Sequence, residues 1–195
     1  MIVLGLTGSI GMGKSTTANM FRELGIDVYD SDLSVHELYS GEALIPLSAQ
    51  FPDAVEGALI DRKKLGDIVF KDKSKLLALE KILHPLVRGK EDIFLENCRK
   101  AQKQIVVLDI PLLFEKRERS DFDYIIVVTT SAEQQKDRVL SRTGMTEDKF
   151  NSILAQQIPD AHKRKAAHFI VDTQKGLDSA RQQVRAIVRS ILGHD

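Results

Sequence analysis

The opening stretch MIVLGLTGSIGMGKSTTANMFREL constrains this chain more than any other part of it. Ile2, Val3, Leu4 and Leu6 make a short apolar run with the branching of a buried strand. Gly8-Ser9-Ile10-Gly11-Met12-Gly13-Lys14-Ser15 then fits G-x-x-x-x-G-K-[ST] without a mismatch. Ala18, Phe21 and Leu24 follow at helical spacing, and Gly25 stands where a helix would stop. A glycine-rich turn matching by chance would lack these flanks. Here the turn lies between a strand and a helix, the context a phosphate-binding loop needs.

Phosphate chemistry accounts for the residue types. Glycines at 8, 11 and 13 remove Cβ atoms and let the backbone turn close to a polyphosphate. The N–H groups of residues 11–16, from Gly11, Met12, Gly13, Lys14, Ser15 and Thr16, are expected to form an anion nest at a helix N-terminus. Lys14 would bridge the β- and γ-phosphates as a mobile point charge, and Ser15 would ligate Mg²⁺.

Composition limits the remaining possibilities. The 195 residues suit one α/β domain with insertions. Lys+Arg and Asp+Glu are both 28, so nothing points to bulk nucleic-acid or membrane binding. Cys98 is the single cysteine, which excludes an intrachain disulfide framework and a cysteine zinc site and fits a reducing cytoplasm. No apolar run is long enough to cross a membrane, and Met1 leads straight into the first strand without a signal peptide.

A second short strand is expected at 26–29, followed by a helix capped by Ser31 or Asp32. Asp30 and Asp32 then lie at the sheet edge where α/β proteins bind ligands. From about Gly41 to Lys103 the pattern is mostly helical, with a break around Phe51-Pro52-Asp53 and a capped start at Asp61. His84-Pro85 should kink or end the longest helix. This block is too long for a plain crossover and reads as a helical insertion over the phosphate site.

Ile105-Val106-Val107-Leu108-Asp109 is a buried strand ending on an aspartate, the Walker B pattern, which points to Mg²⁺ at Asp109. A strand over 124–128 leads to a capping box at Ser131 and Gln134, and Arg138 and Arg142 lie one turn apart at the end of the following helix. Thr146 and Pro159 open two further helical pieces, 169–171 is a last strand, and the final helix presents Leu177, Ala180, Val184, Ile187, Val188 and Ile191 on one face. Five short apolar strands separated by helices predict a parallel, doubly wound sheet.

A phosphate-binding loop alone does not choose among kinases, GTPases, motors and nucleotide sensors. No N-K-x-D segment follows the fourth strand, and the chain is short for a motor core. What remains is a small phosphotransferase with a helical acceptor-binding insert and an arginine-bearing lid. Another small-metabolite or nucleoside monophosphate kinase, or a nucleotide-sensing module, stays open at this level.

Several segments together resemble the dephospho-coenzyme A kinase family over nearly the whole chain. Gly5 to Thr16 is similar to its G-L-T-G-G-I-G-S-G-K-S start, Asp30-Ser31-Asp32 with His36 to its D-A-D segment, and Leu83-His84-Pro85 to its H-P motif. Asp109-Ile110-Pro111-Leu112-Leu113-Phe114-Glu115 resembles D-x-P-L-L-F-E, the most specific of the set, and Arg138, Arg142 and Gln157 resemble its lid. The resemblance implies an α/β, P-loop kinase-type three-layer fold with a five-stranded parallel sheet, a helical CoA-binding insertion at about 33–103 and a helical lid at about 139–165, the core being about 1–32, 104–138 and 166–195. It implies ATP-dependent phosphorylation of the ribose 3′-hydroxyl of dephospho-CoA with Mg²⁺, by a cytoplasmic monomer without nucleic-acid or membrane partners.

The roles that follow from position and resemblance are these. Lys14, Asp32 and Arg142 are the catalytic set, with Asp32 as base or orienting group for the hydroxyl. Residues 11–16, Arg138 and Arg142 bind ATP; Ser15 and Asp109 hold the metal. Asp32, His36, His84 and Leu113 are placed on the acceptor side. Ser9 and Met12 replace the family's Gly and Ser in the loop, His168 stands for its usual Asp, and Thr173 for its usual Asn near the adenine end.

Overall fold

The computed structural model describes residues 1–57, 59–69 and 72–193, which divide into two compact units, 1–29 with 101–195, and 30–100. The elements run in chain order β1 (Ile2–Thr7), α1 (Lys14–Glu23), β2 (Asp27–Asp30), α2 (Ser31–Leu38), α3 (Leu44–Gln50), β3 (Val55–Glu56), β4 (Leu59–Ile60), α4 (Arg62–Val69), α5 (Lys73–Lys100), β5 (Ile105–Asp109), α6 (Leu113–Lys116), β6 (Tyr124–Thr129), α7 (Ala132–Leu140), α8 (Glu147–Ala155), α9 (Asp160–Ala166), β7 (Phe169–Asp172) and α10 (Leu177–Leu192).

The larger unit is built on the expected parallel sheet, in the order β2-β5-β1-β6-β7. Ile2 pairs with Ile105 and Leu6 with Asp109 on one side of β1; Leu4 pairs with Tyr124 and Thr7 with Val127 on the other. Ile126 to Thr129 then pair with Phe169 to Asp172. This register brings Thr7, Asp109, Thr129 and Asp172 to one edge, at the carboxyl ends of four strands, where ligands bind in open α/β sheets.

The strands are apolar on both faces because both faces are covered. Leu4, Leu6, Val107, Ile126 and Val128 pack with Ala18 and Phe21 of α1 and Ala180, Val184 and Ile187 of α10. The alternate residues Val106, Leu108, Ile125 and Val127 are also buried, facing away from that cluster. On that side a Cβ on Gly5 would meet Leu113 Cδ1 at 2.7 Å and Phe122 Cδ1 at 2.9 Å. Each fully buried side chain of this size contributes about 1.5–3 kcal/mol. Leu177, expected on the buried face of the last helix, is instead 56% exposed, since it opens that helix at the mouth of a cavity.

The second unit has its own core, in which Leu38, Leu47, Phe51, Leu65, Val69, Leu79 and Leu83 are buried together. Its elements depart from expectation in three places. Asp30, not Ser31 or Asp32, caps α2: its Oδ1 accepts from Leu33 N–H at 3.0 Å while its backbone is still extended. The strand therefore runs directly into the helix and Asp32 falls in the first turn. Next, a short antiparallel hairpin, β3 with β4, follows a 3₁₀ turn at Pro52–Ala54, where only a break was expected. Two-residue strands are too short to carry an alternation that could reveal them.

Finally, α5 continues through Pro85 without a boundary, 28 residues or about 42 Å. Pro85 removes one backbone bond, to the carbonyl of Lys81, but both residues are exposed, so water can satisfy that carbonyl. Leu79 and Leu83 before it, and Leu86 and Val87 after it, pack on one core, and that shared burial holds the two halves in one helix. Asp61 caps α4 as expected, accepting from the N–H groups of Lys63 at 2.8 Å and Lys64 at 3.0 Å. The Lys64 N–H is the main reason its carboxyl lies below the usual carboxylate range.

Candidate active site

The loop between β1 and α1 takes its shape from glycine. Gly11 has φ +79°, and a Cβ there would come within 2.5 Å of Val139 Cγ2. At Gly8 a Cβ would meet the Val128 carbonyl oxygen at 2.8 Å, so the loop lies against the end of β6. The first backbone bond of α1 is Thr17 N–H to the Gly13 carbonyl, 3.0 Å. The N–H groups of Lys14, Ser15 and Thr16 precede that bond and have no place in the helical ladder. Met12 N–H turns back to Ser9 oxygen at 3.2 Å.

Neighbouring elements fix the loop at both ends. Ile10 is clamped by two glutamines: its N–H donates to Gln157 Oε1 at 3.2 Å, and its carbonyl accepts from Gln135 Nε2 at 2.7 Å. Met12, with its side chain buried, accepts from Thr130 N–H through sulfur at 3.2 Å. Its carbonyl accepts from the Thr173 hydroxyl at 2.9 Å. Thr173 in turn accepts from Arg138 Nη1 at 2.8 Å, while Arg138 Nη2 donates to the Thr173 carbonyl at 3.2 Å. The threonine that replaces the family's asparagine thus connects the loop to the arginine. His168 lies at the opposite end of the strands, where its Nδ1 accepts from Ile125 N–H at 2.9 Å.

A cavity of about 360 Å³ opens beside this loop. Gly11, Gly13, Thr16, Arg138 and Arg142 line one part; Met20, Leu177 and Ala180 supply an apolar wall. The expected nucleotide residues Arg138 and Arg142 therefore share one cavity with the loop. Arg138 is half-buried and held by Thr173, whereas Arg142 is exposed. Thr173 lines it too, at the position that the resemblance put near the adenine end. Gly176 and Leu177 were not among the expected site residues, and only their nearness to the last strand end signals them.

Lys14 Nζ sits 2.6 Å from Asp109 Oδ1, joining the two sequence motifs in one ion pair. Asp109 is 1% exposed, so its charge is held largely away from water against the lysine. The Ser15 side chain is exposed. Among the described residues no group of three or more His, Cys, Asp or Glu forms a dedicated metal cage. A hydroxyl and one carboxylate fit a hard cation such as Mg²⁺, which is normally completed by substrate phosphates and water.

The segment after α7 is tied to the same unit. Glu115 Oε1 accepts from Ile158 N–H at 2.8 Å and lies 3.0 Å from Nζ of Lys163, a lysine with no solvent exposure. This contact is an ion pair rather than an aligned hydrogen bond: Lys163 Nζ and Glu115 Oε2 are buried without a hydrogen-bond partner. Asp160 Oδ2 accepts from the Thr129 hydroxyl at 2.9 Å. Ser131 caps α7, accepting from Gln134 N–H, and Thr146 caps α8.

The second unit contains a cavity of about 690 Å³, lined by Asp32, His36, Tyr39, Arg62 and Lys63 with apolar residues of α4 and α5. Two of the expected acceptor-side residues, Asp32 and His36, meet there. His84 is exposed on α5 and is absent from that lining, and Leu113 is buried in the larger unit under Gly5. Arg62 was missed: its charge reads as part of the solvated run Arg62-Lys63-Lys64, and its contact with His36 spans 26 residues. Burial raises the Tyr39 hydroxyl's pKa, with the Arg62 charge pulling the other way.

Comparison with known proteins gives the family. The family profile described as dephospho-CoA kinase matches residues 2–179. A dephospho-CoA kinase of Mesorhizobium japonicum is 54% identical over 99% of this chain and 98% of its own. A solved structure from Thermus thermophilus is 32% identical with a TM-score of 0.88, covering 98% of this chain and 97% of that one. A dephospho-CoA kinase structure from Campylobacter jejuni is 27% identical with a TM-score of 0.66, covering 97% and 96%. Phosphate loop, Asp109 and arginine-lined cavity lie at one sheet edge of a chain whose residues 2–179 match the dephospho-CoA kinase profile, and the chain belongs to the dephospho-CoA kinase family.

Proposed function

We propose that the protein transfers the γ-phosphoryl group of ATP to the ribose 3′-hydroxyl of dephospho-CoA, giving CoA and ADP. The observation that carries this reading is one cavity lined by the loop, Arg138 and Arg142, with Lys14 of the same loop paired to Asp109 at a neighbouring strand end, in a chain of this family. ATP lies in the 360 Å³ cavity with its base toward Leu177 and Ala180 and its phosphates on the N–H groups of residues 14–16. Lys14 exchanges Asp109 for the β- and γ-phosphate oxygens, and Asp109 becomes available to a cation together with Ser15. Mg²⁺ bound there would neutralise charge on the phosphates. Arg142, exposed in the lining of the same cavity, offsets the charge that spreads over the transferred group.

Asp32 accepts the hydrogen bond of the 3′-hydroxyl and takes its proton as the oxygen bonds to phosphorus and the bond to ADP breaks. Because Asp30 performs the capping of α2, that duty does not fall on Asp32. A loose transition state demands little deprotonation, so Asp32 acts chiefly by orienting the oxygen. The unit of residues 30–100 is the acceptor-binding part, with His36 and His84 on that side. Residues 139–165 act as the lid. We also read the protein as a cytoplasmic monomer; no helix among the described residues is long and apolar enough to cross a membrane. Light scattering on the purified chain tests the monomer.

The test of the reaction is a panel of alcohol acceptors with ATP and Mg²⁺. Dephospho-CoA should be turned over and the product should carry the new phosphate at the 3′ position. Turnover of shikimate or a nucleoside monophosphate in its place would overturn the reading.

A further inference from the structure

Arg62 is the first residue of α4, and its exposed guanidinium is held by two aromatic rings. Nη1 lies 2.9 Å from His36 Nδ1, and Cζ lies 5.9 Å from the centroid of the Tyr39 ring. Guanidinium nitrogens only donate, so His36 Nδ1 must be the acceptor and its proton must sit on Nε2. Both partners are aromatic rings rather than carboxylates. They fix the direction of the fork without neutralising its charge. All three residues line the 690 Å³ cavity, as do Asp32 and Lys63.

A pre-oriented cation in such a cavity selects for an anion of matching geometry, and a guanidinium matches phosphate oxygens two at a time. The Lys63 and Lys64 N–H groups in the first turn of α4 are already taken by Asp61, so anion binding there falls to side chains. The proposed acceptor supplies such an anion: the ribose that carries the reacting 3′-hydroxyl carries the diphosphate on its 5′ carbon. If Asp32 receives the hydroxyl, the diphosphate of the same sugar enters the same cavity.

We infer that Arg62, held by His36 and Tyr39, is the acceptor-side residue that binds the diphosphate of dephospho-CoA and selects acceptors carrying it. This rests on the function proposed above. Arg62 fixes affinity for the acceptor and takes no part in moving the proton. Tyr39 supplies the stacking face and His36 the second anchor, so each supports Arg62 rather than replacing it.

The experiment measures dephospho-CoA binding by calorimetry, without ATP, at several salt concentrations, for the wild type, Arg62→Gln and Arg62→Lys, alongside steady-state kinetics. Arg62→Gln is expected to weaken binding by about 10- to 100-fold, the range for a hydrogen bond to a charged group. Its KM for dephospho-CoA should rise in parallel, with kcat falling by less and KM for ATP within about twofold of the wild type. The salt dependence of binding should flatten, because one screened charge pair has gone. Arg62→Lys, which keeps the charge and loses the fork, should restore the salt dependence and part of the affinity.

Binding by Arg62→Gln within twofold of the wild type would overturn the inference. So would weaker binding with an unchanged salt dependence and no recovery in Arg62→Lys, the signature of a lost packing contact. A wild type that neither binds nor phosphorylates dephospho-CoA would overturn the functional reading itself, and the inference with it.

Discussion

The two units build their cavities by different means. In the larger one, strand ends and a glycine loop create the cavity, and polar side chains lock it: Gln135 and Gln157 on Ile10, Thr173 between Met12 and Arg138, Lys14 on Asp109. In the smaller one, amphipathic helices of one core leave a wider cavity whose polar side chains meet mainly at Arg62, His36 and Tyr39. A polyphosphate is the same in every ATP, so a backbone-built site can be rigid. An acceptor is bound through its particular chemistry, which side chains on helices can supply. With the roles proposed above, the difference teaches that phosphate recognition would be carried by local backbone geometry and acceptor recognition by tertiary packing.

The largest expected effects test whether the two units divide the work. Asp32→Asn should lower kcat by about 10²- to 10⁴-fold with KM for ATP nearly unchanged. Lys14→Ala should lower kcat by about 10²- to 10³-fold and raise KM for ATP as well. Steady-state kinetics in both substrates checks this, and the same signature for both variants would break the division.

Next comes the rigidity of the larger unit. Lys163→Met strands the mostly buried Glu115 and should destabilise the protein by about 3–5 kcal/mol, read from denaturant unfolding. Adding Glu115→Leu should return most of that loss, since both charged groups of this imperfectly bonded pair are then gone. If Lys163→Met alone costs nothing, the ion pair does not anchor this segment.

Gly11→Ala should cost about 1–3 kcal/mol through backbone strain at φ +79° and contact with Val139, and should weaken ATP binding more than acceptor binding. Thermal unfolding and titration with ATP measure the two. Equal loss for both ligands would mean that loop shape is not a private property of the nucleotide cavity.

The smallest effect concerns acid. The Asp61 carboxyl is lowered in the folded state, first by the Lys64 N–H, so its contribution is present above the unfolded pKa and fades as pH falls through the folded value. Protection of the Lys63 and Lys64 amides, taken relative to their intrinsic exchange rates, should therefore fall below about pH 4, while Lys14 and Ser15 amides show no such step. Protection that stays constant with pH at Lys63 and Lys64 would remove Asp61 as the cap of α4.

The glycine loop and the strand-end aspartate were readable from the chain because their information is local. Three glycines, a lysine and a serine lie within eight consecutive residues between a strand and a helix, and Asp109 ends an apolar run. The parallel sheet followed from five apolar strands that could pair only through helical crossovers. Where the reading failed, local signals competed with packing. Pro85 looked like a stop, but burial on both sides of it held one helix; Leu177 looked like core because its spacing fits, but it opens the helix at a cavity.

The sequence by itself determined the fold class and the family, and marked the glycine loop and the strand-end Asp109, because each is written in contiguous residues or in a period. Only the tertiary structure decided that Thr173 ties Arg138 to the loop, that Lys163 pairs with Glu115, that Asp30 rather than Asp32 caps α2, and that Arg62 is turned into a cavity by His36 and Tyr39. Those partners are far apart in the chain or compete with equally good neighbours. The energy that selects them comes from burial and hydrogen bonding, which exist only once the chain has packed.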